Sequence, residues 1–191
     1  MARRGSISSV GWGAALRCGA LLAAAALSAC SHLGPSPLAE PMPNQVAIST
    51  RLVTAGQPSR WQLRQLKERG FVAVVHIAVD GSANTVADEA QLVQAQALEY
   101  VRISIDAQGP TANDARDLAL VLDRLATRRV LVHCEHNVLA SSLVFLYRAR
   151  APGDEARRAL TDLERVWVPQ GRLRDFIKRH LRERGIDFEA I

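Results

Sequence analysis

The chain has 191 residues, 48% of them hydrophobic and 23% charged, enough to bury the core of one domain. Its net charge of +5 overstates its basicity. Arg3, Arg4 and Arg17 precede Cys30 in a stretch with no acid, and the remaining 21 basic and 19 acidic residues are too balanced to argue for nucleic acid. Three cysteines, Cys18, Cys30 and Cys134, make no disulfide framework.

Residues 1–29 read as an export signal, with Arg3 and Arg4 ahead of the apolar run Cys18–Ala29. That run is shorter than the ~20 residues that span a bilayer. Leu27-Ser28-Ala29-Cys30 resembles the lipobox of bacterial lipoproteins, which implies lipidation at Cys30. The expected address is the periplasm, on a lipid anchor, with Ser31 resembling the class sent to the outer membrane. Residues 30–45, with Pro35, Pro37, Pro41 and Pro43, read as a solvated tether, and the domain is expected over 46–191.

Val46–Ser49 and Arg51–Val53 are short strand candidates around a turn. Ser59 can cap a helix over Arg60–Glu68 that stops at Gly70. Phe71–Ile77 is a continuous apolar, largely β-branched run, which predicts a central strand with His76 as a core histidine. A helix is expected over Val86–Leu98, a strand over Tyr100–Ile105, and a helix capped by Thr111 running to about Ala126. Helices at Asp154–Arg165 and Arg172–Arg184 follow the last strand and its helix. The basic face of the last helix is diluted by Asp175 and Glu183 and reads as solvated. Strands alternating with helices predict an α/β domain with a central, mostly parallel sheet flanked by helices.

The stretch that carries chemistry is Val130-Leu131-Val132-His133-Cys134-Glu135-His136-Asn137-Val138-Leu139-Ala140-Ser141. An apolar strand ends at a cysteine, a polar loop follows, and a helix-period segment begins. That order aims loop N–H groups at a helix N-terminus, a ready anion site that also stabilises a thiolate. The stretch resembles the phosphate loop of the cysteine-dependent protein phosphatases, closest to their small bacterial dual-specificity-like branch. That branch includes the phosphatase-like domain associated with β-lactamase-hydrolase-like proteins. Thr54-Ala55-Gly56-Gln57-Pro58-Ser59 resembles the branch's entry motif and Leu146-Tyr147-Arg148 its stretch after the loop.

The resemblance implies Cys134 as nucleophile forming a phosphocysteine, His133 supporting it from the strand end, and Asp106 as general acid. Residues 133–141 (His133, then Glu135, His136, Asn137, Val138, Leu139, Ala140 and Ser141 around the cysteine) form the phosphate loop. It implies a phosphorylated protein or small phosphate ester as ligand and no metal or organic cofactor. His133, Cys134 and His136 are metal-ligand types, but alternation along a strand sends His133 and Cys134 to opposite faces.

One position departs from the family. The arginine that clamps phosphoryl oxygens five or six residues after the cysteine is replaced by Leu139 and Ala140. Losing one preorganised donor to transition-state charge costs ~2.7–4 kcal/mol, or 10²–10³ in rate. His136 and Asn137 offer partial replacement as donors. The expected function is therefore phosphatase-like with weak or lost turnover. The alternative is a pseudophosphatase acting as a binding or scaffold module, with a sulfurtransferase-like loop a further reading.

Overall fold

The computed structural model describes residues 40–82, 85–151 and 153–190. The expected signal over 1–29, the lipidation position Cys30 and the tether as far as Ala39 lie outside them. No helix among the described residues is long and apolar enough to cross a membrane.

The strands are β1 (Val46–Ala47), β2 (Leu52–Ala55), β3 (Ala73–Val79), β4 (Glu99–Ile105) and β5 (Val130–His133). The helices are α1 (Arg60–Leu63), α2 (Glu89–Gln94), α3 (Ala112–Arg124), α4 (Val138–Arg148), α5 (Glu155–Glu164) and α6 (Gly171–Arg182). The strand order is β1-β2-β5-β3-β4, with only β1 antiparallel to its neighbour. This is the mostly parallel α/β sheet that the alternation predicts. β3 and β5 are buried nearly throughout because helices cover both faces, which is why they read as unbroken apolar runs.

Residue parity assigns the two faces. Ala73, Val75 and Ile77 of β3 and Val130 and Val132 of β5 point into the larger core, with Leu118, Leu143, Phe145 and Ile177 from the helices. Val74 and Leu131 point the other way, against Leu63, Leu66 and Val93. The register pairs Val75 with Val132 and His76 with His133, so neighbours across the strands share a face. Cys134 follows the carboxyl end of a central strand, where open α/β sheets place ligands.

Both predicted caps form. Ser59 and Gln62 make a reciprocal capping box at α1, and Thr111 and Asp114 do so at α3. α1 is shorter than expected: after Leu63 the chain continues in turns to Gly70, with Gln65 N–H bonded to the Gln62 carbonyl. Phe71 closes that turn on the Leu66 carbonyl instead of opening β3. α2 also falls short of Val86–Leu98, and Ala97 takes a left-handed conformation before β4.

The expected tether ends earlier than residue 45. Met42 is only 2% exposed and packs with Leu63 and Val53, while the Pro41 carbonyl accepts from Gln62. One apolar side chain among the prolines is enough to dock the segment on the domain.

Gly56 sits where that segment, β2 and the Cys134 loop meet. Its N–H donates to the Pro43 carbonyl at 2.6 Å, and a Cβ there would lie 3.1 Å from the carbonyl oxygens of both Glu135 and Pro43. Both obstacles are backbone, so neither yields by a rotamer change. Gly56→Ala is expected to destabilise the chain by about 1–3 kcal/mol in denaturant unfolding. An unchanged midpoint would contradict this account of the glycine.

Candidate active site

The loop from Cys134 to Ala140 is held from outside by the entry segment. Gln57 N–H donates to the Glu135 carbonyl at 3.0 Å, and the Asn44 side-chain amide donates to the His136 carbonyl at 3.1 Å. Asn137 adopts a left-handed conformation, φ +68°, for which asparagine is better suited than most residues. Its buried side-chain amide donates to the Asn44 carbonyl at 2.6 Å and to Thr54 Oγ1 at 3.1 Å. With carbonyls turned out and pinned, the N–H groups turn inward. Ala140 N–H lies 3.5 Å from Cys134 Sγ, and the N–H groups of His136, Asn137 and Leu139 also bear on the sulfur. The convergence has the geometry of a backbone N–H nest.

Two predicted donors are engaged elsewhere. The Asn137 amide is spent on the entry segment and cannot also stand in for the missing arginine. The Ser141 and Ser142 hydroxyls donate back to the Val138 carbonyl within α4. His136 is exposed and pairs with Glu135 at 3.3 Å. Glu135 also accepts from Ser82 Oγ at 3.0 Å, which ties the loop after β3 to the rim of the site.

Above Cys134 is a cavity of about 120 Å³ whose walls include Val79, Ser82, Thr85 and Leu139. No lysine or arginine lines it among the described residues. Cys134 itself is 4% exposed. Burial pushes its thiol up, and it does so against the four N–H groups that pull the other way. Burial thus outweighs the four amides in setting the direction of the shift.

Asp106 follows β4, which is separated from β5 by β3. Its carboxylate accepts from the Gln108 N–H at 2.7 Å, and it does not line the cavity over Cys134.

His133 lies on the opposite face from Cys134, as alternation requires, and it does not contact the sulfur from there. Its Nε2 bonds Glu89 Oε1 at 2.7 Å. The same carboxylate accepts from Gln57 Nε2 at 2.7 Å, and His76 Nδ1 bonds the Tyr100 hydroxyl at 2.9 Å. Glu89, Gln57 and Tyr100 were not legible as site residues. The one available signal was that His76 and His133 fall at matching register on two adjacent apolar strands.

Burial pushes the Glu89 carboxyl up, but the His133 bond, the two imidazoles and Gln57 outweigh it and hold the group below its ordinary value. Burial and the Glu89 charge push the Tyr100 phenol up. Burial, reinforced by His133 and opposed by Glu89, lowers His76 from 6.5 to about 4.

His76, Glu89 and His133 together have the composition of a metal site. Their geometry does not fit one. The two imidazoles are stacked with centroids 4.5 Å apart and planes 18° from parallel. Lone pairs in stacked, near-parallel planes cannot both point at one ion ~2.1 Å from each nitrogen. The cluster is a hydrogen-bonded support beneath the loop.

A family model described as DSP-PTPase phosphatase fused to NAD+ Kinase matches residues 39–175. No curated protein matches the chain. Among solved structures, a DUF442 protein of Shewanella putrefaciens CN-32 is 25% identical, with a TM-score of 0.63 over 75% of this chain and 89% of its own. Tk-PTP in its active form is 19% identical, with a TM-score of 0.61 over 74% of this chain and 98% of its own. The core catalytic domain of the PP-IP phosphatase SIW14 from S. cerevisiae is 12% identical, with a TM-score of 0.58 over 76% and 95%. The latter two likenesses concern the fold.

The buried imidazole yields a pH prediction. A histidine held neutral in the fold contributes stability that is fully present above its unfolded pKa and lost as pH falls toward its folded one. For His76 that window runs from 6.5 down to about 4, with an expected loss of about 3 kcal/mol. Glu89 acts in the same direction at the lower end. Urea unfolding across this window should show the loss in the wild type and a flatter slope in His76→Gln. Equal slopes would contradict the assignment.

Proposed function

The chain belongs to the DSP-PTPase family of cysteine-dependent phosphatases, and from that membership we propose that it is a pseudophosphatase-like member. It keeps the anion-binding loop as a binding module, while phosphate monoester hydrolysis through a phosphocysteine is weak or lost. The carrying observation is the cavity over Cys134, where Leu139 and Ala140 stand at the clamp positions and no lysine or arginine lines the walls among the described residues. Four backbone N–H groups aimed at the sulfur support anion binding. The thiol pushed up by burial supports the loss of turnover. The ligand under this reading is a phosphorylated protein or small phosphate ester. Whatever hydrolysis persists runs by Cys134 attack on phosphorus, with Asp106 protonating the leaving oxygen once the loop after β4 carries it over the cavity, which it does not line here, and water then cleaving the phosphocysteine.

Hydrolysis of a generic aryl phosphate by the purified chain, beside Cys134→Ser, tests the reading. The expected result is a rate close to that of the mutant. An arginine at one of the two clamp positions, Leu139→Arg or Ala140→Arg, is expected to raise Cys134-dependent turnover by roughly 10²-fold or more. A wild-type kcat of about 1 s⁻¹ or higher, lost in Cys134→Ser, would place the chain among ordinary enzymes and contradict the proposal.

We also propose that the chain is a lipoprotein anchored through Cys30 and facing the periplasm, on the outer membrane. The sequence Leu27-Ser28-Ala29-Cys30 after an apolar run supports this. Labelling with radioactive palmitate should mark the wild type and not Cys30→Ala; an unlabelled wild type would contradict it.

A further inference from the structure

Leu139 lines two adjoining spaces. One is the cavity over Cys134, and the other is a cleft of about 350 Å³ between the loop Ala107–Pro110 and α6. Leu173 and Phe176 contribute apolar surface to the cleft, and Arg172 and Arg179 supply its cations. The two arginines are seven residues apart, about 10.5 Å along one face of the helix. Asp175 is the single acid in the lining.

The pairing of α6's cations differs from one side to the other. Arg174 and Lys178 both bond Glu189, at 2.9 and 2.6 Å. Among the described residues, neither Arg172 nor Arg179 has a carboxylate within ion-pairing distance, Asp175 included. The helix thus spends one pair of cations on Glu189 and leaves another pair in a cleft beside the anion cradle. Leu139, at one of the two positions where the clamp is missing, lines both the cavity and the cleft of the unspent guanidinium groups.

We propose that the ligand of this site carries at least two phosphate groups: one is held by the N–H groups of the Cys134 loop and another by Arg172 and Arg179. The inference rests on the reading of the loop as a retained anion cradle. It narrows the ligand class to multiply phosphorylated small molecules, because neither arginine lines the cavity over Cys134 and the cysteine does not line the cleft. Guanidinium groups bind phosphate oxygens through charge-assisted, fork-shaped hydrogen bonds. They supply from α6 the affinity that the loop lost with its arginine. They supply it away from the scissile position, which favours binding over turnover.

The test is protection of Cys134 from iodoacetamide at about pH 9, read by mass spectrometry of its own peptide in the full chain. Inositol hexakisphosphate, which offers phosphates at many spacings, is compared with inorganic phosphate. In the wild type, the polyphosphate is expected to protect at a concentration at least about tenfold below that of phosphate. Arg172→Ala with Arg179→Ala should erase that advantage while leaving protection by inorganic phosphate unchanged. Arg182→Ala with Arg184→Ala removes the same charge from the end of α6 and the turn that follows it, and should leave the advantage intact.

If phosphate protects and the polyphosphate does no better, this proposal fails and the cradle reading stands. Equal losses in the two double variants would reduce the effect to general charge and overturn it. If neither anion protects, the cradle reading fails and takes this proposal with it.

Discussion

The site depends on a set of main-chain and amide hydrogen bonds that tie together the segment before β1, the end of β2 with the turn after it, and the loop after β5. Gly56 to Pro43, Gln57 to Glu135, Asn44 to His136 and Asn137 to Thr54 occupy the outward polar groups. Buried backbone groups must be paired, so satisfying the carbonyls on the outside leaves the N–H groups free to converge on Cys134. The cradle is thus a consequence of how two segments far apart in sequence are joined. No residue of the loop needs to be charged for it to form, which is how the fold can persist without its arginine.

The same strand end serves two roles because adjacent residues point to opposite faces. Cys134 enters the larger core beneath α4, while His133 enters the smaller one and bonds Glu89. The buried Glu89 carboxylate takes donors from His133 and Gln57, and Gln57 is also the residue whose backbone pins Glu135. Support on one face and the binding loop on the other are therefore joined through the entry motif. A buried carboxylate is costly unless fully bonded, and that requirement fixes α2 against the sheet beneath the loop.

Much of this was legible from local pattern. The strand, loop and helix around Cys134 read correctly because their signals lie within a dozen residues, and the caps at Ser59 and Thr111 are local hydrogen-bond motifs. What escaped was set by distance in sequence. Glu89 resembles any acid in a helix first turn, and only the packing of α2 against the sheet brings it to a histidine 44 residues away. Met42 was hidden by the prolines around it. The cations of α6 read as one solvated face, and only the positions of Glu189 and the Ala107–Pro110 loop divide them into paired and unpaired sets.

The central claim is that the loop retains its amides while its thiol lacks the cation that would make it a thiolate. The pH dependence of Cys134 alkylation, followed on its own peptide in the full chain, measures this directly. The account predicts half-maximal reactivity above the ~8.5 of a free cysteine. A midpoint near or below about 7 would show a thiolate already poised for attack, and would contradict it.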